Sequence, residues 1–504
     1  MKTPPRVSTE AAGIFLIRLA VLALLLMGLA KTWADPDLWG HVRFGGDILR
    51  DGLTVVDPYS FTSDVPWVNH EWLAEIIMYG AWATGGSAGL IALKMAIILG
   101  TLGLIALTLR LDRLPATNRD VAVAVALLGL WARVFVVRPQ LFSIILFAAL
   151  LWILRSAERG RPERLWGLPF LFAFWVNAHG GWIVGVGALL VWSAIGMTPL
   201  GPGLLRTRLA LAAGLALVAT LANPYGTGLW TFLWETVRLN RPNISDWRPL
   251  AEAGPQVILP WALSAVLALA ALVQGRRRIP VAHALIVIGL GAASVRVNRL
   301  DVFFTLSVVL LLAPYLAKIR QGKRARNYAD TSGAARPNWT RAMQIAALAV
   351  AIGLGLAGWR QRESLTCVRL DGPWMPEREA GAFIAANRLT GRLLTWFDWG
   401  QYAIWHFGPG LKVSLDGRRE TVYSDAFVTR HLQLYYEPEK ATRLLDDLHA
   451  DYAWLPLSMP LTATLNRSGW HRLYTGPISV VFSRADSGTP LQVGTLGSAC
   501  FPGP

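Results

Sequence analysis

The chain has 504 residues, 54% of them hydrophobic and only 16% charged, with a mean hydropathy of +0.41. Soluble globular chains carry about 25% charged residues, so a run of soluble domains is excluded, as are disorder, collagen and coiled coil, and two Cys are too few for a disulfide-dense secreted scaffold. Forty-eight basic residues against 32 acidic ones would suggest nucleic acid on a soluble protein, but here they gather in short loops between apolar stretches without interleaved aromatics, so a membrane protein with several spans is expected and no nucleic-acid partner.

The first apolar stretch runs from Gly13 to Ala30, and Lys31-Thr-Trp-Ala-Asp after it lacks a good small-residue cleavage site, so it reads as a retained span. Further stretches lie near 88–109, 120–137, 139–155, 164–177, 180–198, 206–222, 256–274, 280–295, 301–317 and 341–358. Together they predict about 11 transmembrane helices, 12 or 13 if shorter segments also cross. Lys2 and Arg6, then Arg110/Arg113/Arg119, Arg155/Arg159/Arg161/Arg164, Arg206/Arg208, Arg276/Arg277/Arg278 and Lys318/Arg320/Lys323/Arg324/Arg326 all fall on one side if these are the only crossings. That side is expected to be the cytoplasm. Trp72–Trp82 is short and holds Glu75, so it reads as an interfacial or re-entrant helix. Two basic residues sit inside apolar stretches: Arg18, close enough to the end to reach the headgroups, and Lys94, read as a partner for an acid.

The outer loop after the first span, 31–87, opens with Asp35-Pro-Asp37-Leu-Trp-Gly-His41-Val-Arg43. A helix to Arg50 and a stop at Asp51-Gly52 are expected. Asp57-Pro-Tyr-Ser and Trp67-Val-Asn69-His70-Glu71-Trp72 follow. Titratable groups at a membrane face suit proton transfer, metal binding or anion contact. Asp57 fits a cap or turn as well as a functional role, whereas no amphipathic pattern accounts for Asp35 and Asp37. Later outward turns carry Arg133, Arg138-Pro-Gln, Trp175-Val-Asn-Ala-His179-Gly-Gly, Asn223-Pro-Tyr-Gly, Ser245-Asp246-Trp-Arg248 and Arg296-Val-Asn-Arg299. Several Arg on one face would suit a lipid-linked phosphate, because guanidinium matches phosphate in paired hydrogen bonds. Taken alone, His179 reads as a packing residue.

From about 360 the apolar runs stop. Helices are expected over 376–388, 425–435, 438–449 and 460–468, and strands at 393–397, 411–415, 451–455, 470–475 and 478–483, which predicts a small α/β domain. Asp416-Gly-Arg418 reads as a strand-end turn that could reach a substrate. Cys367 and Cys500 both lie in this tail and are expected to form a disulfide, two separate thiols being the alternative. The chain has no His-Glu-x-x-His, phosphate-cradling glycine loop or Gly-x-Ser-x-Gly elbow.

This organisation resembles the GT-C class of integral membrane glycosyltransferases, and more closely its bacterial protein-mannosyltransferase-like and aminoarabinose-transferase-like branch. The Asp35-to-His41 segment, Asn69-His70-Glu71-Trp72, the Trp175-to-Gly181 turn and Asp416-Gly-Arg418 are similar to a largely uncharacterised bacterial subgroup over most of the chain. Those transferases often show adjacent Asp-Glu at the loop start, where this chain has a Pro between two Asp. The resemblance implies a polytopic α-helical membrane domain (1–359) and an extracytoplasmic α/β domain (360–504), with the N-terminus cytoplasmic in a bacterial inner membrane. It implies inverting transfer of a sugar from a polyprenyl-phosphate donor to an acceptor whose identity stays open. Asp37 or Asp35 would act as base. The candidate catalytic set is Asp35, Asp37, His41, Asp57, His70 and Glu71; the candidate donor-phosphate set is Arg43, Arg138, His179, Arg248, Arg296 and Arg299, with Arg138, Arg296 and Arg299 favoured. Mg or Mn is compatible with carboxylate ligands at Asp35 and Asp37 but not required. The alternative is a flippase, polymerase or non-catalytic assembly partner for lipid-linked glycans, and no convincing internal repeat of the kind a transporter shows is visible.

Overall fold

The computed structural model describes residues 23–200, 206–238, 244–275, 278–316, 341–372, 374–486, 492, 494 and 497–503. Lys2, Arg6, Arg18, most of the opening apolar stretch, Arg276, Arg277 and the basic run 318–326 lie outside the described residues.

Apolar stretches become helices, and those with enough length cross a bilayer. Trp72–Leu111, Gln140–Glu158, Pro255–Gly275 and Asn298–Leu316 are long and apolar enough to do so, and Trp182–Gly196 and Val281–Arg296 are shorter apolar helices. The chain is therefore a multi-pass membrane protein. The stretch expected over 120–137 is helical only over Ala116–Leu130 and then tightens into a 3₁₀ turn, Trp131–Arg133. There Arg133 leaves the helix to pair with Asp246 and Asp301, because a guanidinium in apolar surroundings needs a counter-charge.

Trp72–Leu111 is not one straight helix. Gly86 breaks it at φ +55 and ψ −139, a backbone open to a residue without a Cβ. The first arm, Trp72 to Gly85, is about 20 Å long at the usual rise per residue, shorter than a hydrocarbon core of about 30 Å. Lys94, in the second arm, donates from Nζ to the carbonyls of Leu29 (2.7 Å) and Lys31 (2.9 Å). It neutralises the C-terminal end of the opening helix and does not pair with an acid, because the last carbonyls of that helix offer the nearest negative potential. This bond anchors the chain just ahead of Asp35.

The tail matches the expected alternation element by element. Strands β3 (Gly391–Thr395), β4 (Leu411–Val413), β5 (Tyr452–Pro456), β6 (His471–Thr475) and β7 (Ser479–Ser483) form one sheet in the order β4-β3-β5-β7-β6. β4, β3 and β5 run parallel; β7 is antiparallel to both β5 and β6. Helices Arg378–Ala386, Gly400–Phe407, Asp425–Tyr436, Pro438–Leu448 and Leu461–Arg467 complete the unit. The Ser424 side chain accepts from the Phe427 N–H and starts Asp425–Tyr436.

The outer loop and the tail are joined. Strands β1 (Thr32–Trp33) and β2 (Val368–Arg369) pair in parallel. Trp39, Val42, Phe44, Trp67 and Met78 share one apolar core with Ile384, Leu394, Tyr402, Val413 and Trp454. The outer loop and the tail thus lie on the same side of the membrane domain. The expected disulfide joins Cys367 to Cys500.

Candidate active site

The site forms where the outer helix Leu38–Asp51, the membrane helices and the tail meet. Asp35 and Asp37, two residues apart, have different surroundings. Asp35 is 2% exposed. Its Oδ2 accepts from Arg138 Nε at 2.6 Å and also from Arg138 Nη2, and its Oδ1 accepts from the Asp37 N–H at 3.1 Å. Arg138 Nη1 continues to Asp246 Oδ2 at 3.2 Å. Asp246 Oδ1 accepts from Arg133 Nη1 at 2.6 Å, and Arg133 donates onward to Asn298 and Asp301. This chain of charge-assisted bonds ties the turns at 131–138, 244–248 and 298–301 together. Breaking one buried member costs about 3–5 kcal/mol.

Asp37 heads the outer helix, where its backbone carbonyl accepts the His41 N–H at 3.0 Å. Its carboxylate accepts no hydrogen bond among the described residues and stays partly exposed. It rests against Gly417 of the tail: a Cβ there would lie 1.7 Å from Asp37 Oδ1, so only glycine lets the Asp416-Gly-Arg418 turn close over the acid. Burial first, and then the charge of Asp35, pushes the Asp37 carboxyl up to about 7, against the cations His41 and Arg138.

His41 lies one turn on from Asp37. Its Nδ1 meets Glu75 Oε1 at 3.0 Å, and Glu75 Oε2 accepts from Asn69 Nδ2 at 2.6 Å. Burial disfavours the imidazolium, but the Glu75 hydrogen bond and the charges of Glu71, Glu75 and Asp37 outweigh it and raise His41 to about 9. His41 is therefore a cation at neutral pH. Glu71 Oε1 stands 3.6 Å from both His70 Nε2 and His179 Nε2. His179 Nδ1 is held by Ser143 Oγ at 2.7 Å and the Gly181 N–H at 3.0 Å, and burial drives its pKa down to about 3, so it stays neutral. Arg299 lies over the Trp247 ring at 5.0 Å, within electrostatic reach of Glu71 and Asp246, with no side-chain hydrogen bond among the described residues.

Asp35, Asp37, His41, His70, Glu71, Arg138, His179 and Arg299 thus converge, while four other candidates sit elsewhere. Asp57 accepts both terminal nitrogens of Arg418, at 2.7 and 2.9 Å, and the same Arg418 grips Asp416. That is a buried clamp between outer loop and tail, so Asp57 has no free carboxylate for catalysis. Arg43 bonds Asp47 at 2.8 Å and lines a separate cleft of about 500 Å³ with Arg50, Tyr59 and Lys412. Arg248 is exposed and contributes its carbonyl to Asn298, and Arg296 is exposed at the end of its helix. Among the favoured phosphate ligands, Arg138 is already committed to two carboxylates.

Sequence reasoning assigned no site role to Glu75, Asp246, Asp398 or Arg419. Asp398 accepts from Trp396 Nε1 at 3.2 Å, and burial, with Asp35 adding, pushes its carboxyl to about 6. Asp246 carried a signal, as an acid in a turn already singled out for Arg248. Asp398 and Arg419 carried none, since only the docking of the tail brings them to Asp37.

No group of three or more His, Cys, Asp or Glu among the described residues is arranged to hold a metal ion. The donor set explains this. Asp35 Oδ2 and both Asp246 oxygens accept from guanidinium groups, and Asp35 Oδ1 accepts from the Asp37 N–H.

No family model and no curated protein matches the chain. Solved structures do. The oligosaccharyltransferase of Archaeoglobus fulgidus is 11% identical, with a TM-score of 0.60 over 96% of this chain and 76% of that one. ArnT from Cupriavidus metallidurans bound to undecaprenyl phosphate is 14% identical, with a TM-score of 0.52 over 96% of this chain and 100% of that one. Arabinofuranosyltransferase AftD from Mycobacteria is 14% identical, with a TM-score of 0.51 over 95% of this chain but 40% of that one. At these identities the likeness is one of fold, and the fold of this chain is that of the GT-C membrane glycosyltransferases.

Proposed function

We propose that the chain is a membrane glycosyltransferase that moves a sugar from a polyprenyl-phosphate donor to a hydroxyl on the outer side of a bacterial inner membrane, inverting the anomeric centre. The observation that carries this reading is the asymmetry of the two acids. Asp35 is neutralised by Arg138, whereas Asp37 is unpaired, partly exposed and poised near neutrality. A general base works best with a pKa near the working pH. Two structural neighbours were solved with dolichol-phosphate and undecaprenyl phosphate, which supports a lipid phosphate as the leaving group.

The roles follow from chemistry. Asp37 takes the proton of the acceptor hydroxyl as its oxygen attacks the anomeric carbon from the face opposite the phosphate. The bond from that carbon to the phosphate oxygen breaks, and the lipid phosphate leaves with the electron pair. Arg299, which converges with the acids and has no side-chain hydrogen bond among the described residues, meets the phosphate, and the His41 cation steadies the Asp37 anion. Arg138 and Asp246 position the two acids and do not touch substrate. Placing the tail outside the cell follows the loop charges, since Arg155, Arg159 and Asp112 meet at the opposite end of Gln140–Glu158 from Arg138.

The test uses purified full-length chain with labelled undecaprenyl-phosphate sugars and membrane-lipid or glycan acceptors. Asp37→Asn is expected to lower turnover by about 10²–10⁴-fold while lipid-phosphate binding persists. Asp35→Asn is expected to lower turnover together with thermal stability, because it strands Arg138. Unchanged turnover in Asp37→Asn would sink the assignment.

A further inference from the structure

Two guanidinium groups at this site are without a side-chain hydrogen bond or ion pair among the described residues: Arg299 on the membrane domain and Arg419 on the tail. Arg419 is half-buried, and its backbone is left-handed at φ +44, a conformation costly for a residue with a side chain. The turn that imposes it is rigid. Arg418 points inward, gripping Asp416 and Asp57 and lying over Phe44, Tyr59 and Trp67, and Arg419 shares none of these contacts. Two residues before Arg419, Gly417 presses on the Asp37 carboxylate. Asp398 and Asp37 are within electrostatic reach of Arg419, together with Glu420 and Asp425.

Arg299 senses Asp246, Glu71 and Arg138; Arg138 bonds Asp35 beside Asp37; Asp37 and Arg419 both sense Asp398. Arg299 thus belongs to the membrane-domain side of the acids, and Arg419 to the tail turn whose Gly417 presses on Asp37. A lipid phosphate approaches from the membrane, on the Arg299 side. The other wall belongs to the tail and faces water.

We propose that Arg419 binds an anionic group, phosphate or carboxylate, carried by the acceptor, so that this transferase glycosylates an acidic substrate. This rests on the glycosyltransferase reading and adds the acceptor class to it. A half-buried guanidinium held in a strained turn, with no partner of its own, is built for planar two-point contact with an oxyanion. An acceptor anchored there would present its hydroxyl to Asp37 with the donor phosphate on the far side.

The experiment titrates full-length chain in detergent, first saturated with undecaprenyl phosphate, with inorganic phosphate and separately with glucuronate, by calorimetry at constant ionic strength. A saturable second event is expected in the wild type, with whichever of the two anions matches the acceptor group. It should weaken about tenfold or more in Arg419→Gln and partly return in Arg419→Lys. Undecaprenyl phosphate affinity should be unchanged in Arg419→Gln, which also reports that the variant is folded. No second event with either anion, or one of equal strength in Arg419→Gln, overturns the proposal. So does an Arg419→Gln variant that keeps the wild-type melting temperature but loses affinity for undecaprenyl phosphate, since the group then belongs to the donor. If the wild type fails to bind undecaprenyl phosphate, it is the donor reading that fails, and the same titration without lipid on Arg299→Gln still reads Arg419 by itself.

Discussion

Asp35 and Asp37 share a residue type and a loop, and their environments divide their labour. Both oxygens of Asp35 are engaged, while Asp37 sits partly exposed beside it, and burial with the Asp35 charge pushes its carboxyl up to about 7. The sign of the pH dependence follows. A base raised to about 7 is protonated below that value, so turnover is expected to rise tenfold per pH unit below about 7 and to level off above it. The His41 cation favours the Asp37 anion, so His41→Gln should move this limb to higher pH. A pH–rate profile checks both; a limb that stays in place in His41→Gln would show that the imidazolium does not couple to the base.

At the scale of elements, the turn 416–419 and the outer loop act as one piece. Asp57, Asp416 and Arg418 are almost fully buried, and Tyr423 adds a hydrogen bond to Asp416 at 3.0 Å. Asp57→Ala is expected to leave Arg418 with Asp416 alone and two buried N–H groups unsatisfied, and to destabilise the junction by about 1–3 kcal/mol. Thermal unfolding followed by tryptophan fluorescence reads it, because Trp67 lies beneath the guanidinium. An unchanged melting curve would mean that the clamp is dispensable. The same scale explains the interrupted helices. Trp72–Leu111 breaks where glycine permits a positive φ, and the helix from Ala116 ends early because Arg133 is drawn to its carboxylates.

For the whole molecule, the C-terminal strap closes the assembly. Cys500 is bonded to Cys367, next to the strand that pairs with the start of the outer loop. Beyond it, Phe501 is buried and accepts from Ser87 Oγ at 2.8 Å, and the Pro502 carbonyl accepts from Trp39 Nε1 at 2.8 Å and meets His406 Nε2 at 2.9 Å. One short strap thus touches the outer helix, the broken helix and the tail. Cys367→Ser/Cys500→Ser is expected to cost about 2–5 kcal/mol and to expose the tail to protease. Equal resistance of the double variant and the wild type to limited proteolysis would remove this role.

The sequence by itself determined the properties that depend on local pattern. Apolar length made the helices, and alternating strand and helix runs in the tail predicted each strand of the sheet to within a few residues. Glycine and proline marked the breaks, and the compartment of two cysteines suggested their bond. The acids and arginines of the loop 31–87 and of the later turns were legible as a set. Which of them is free was not, because freedom is a matter of partners far along the chain. Arg138 is spent on residues 103 and 108 positions away, and Asp57 on one 361 positions away. Only the folded molecule, by pairing some charges and leaving Asp37, Arg299 and Arg419 without a side-chain partner among the described residues, decided which groups are available, since a buried charge is silenced by the partner that packing brings to it.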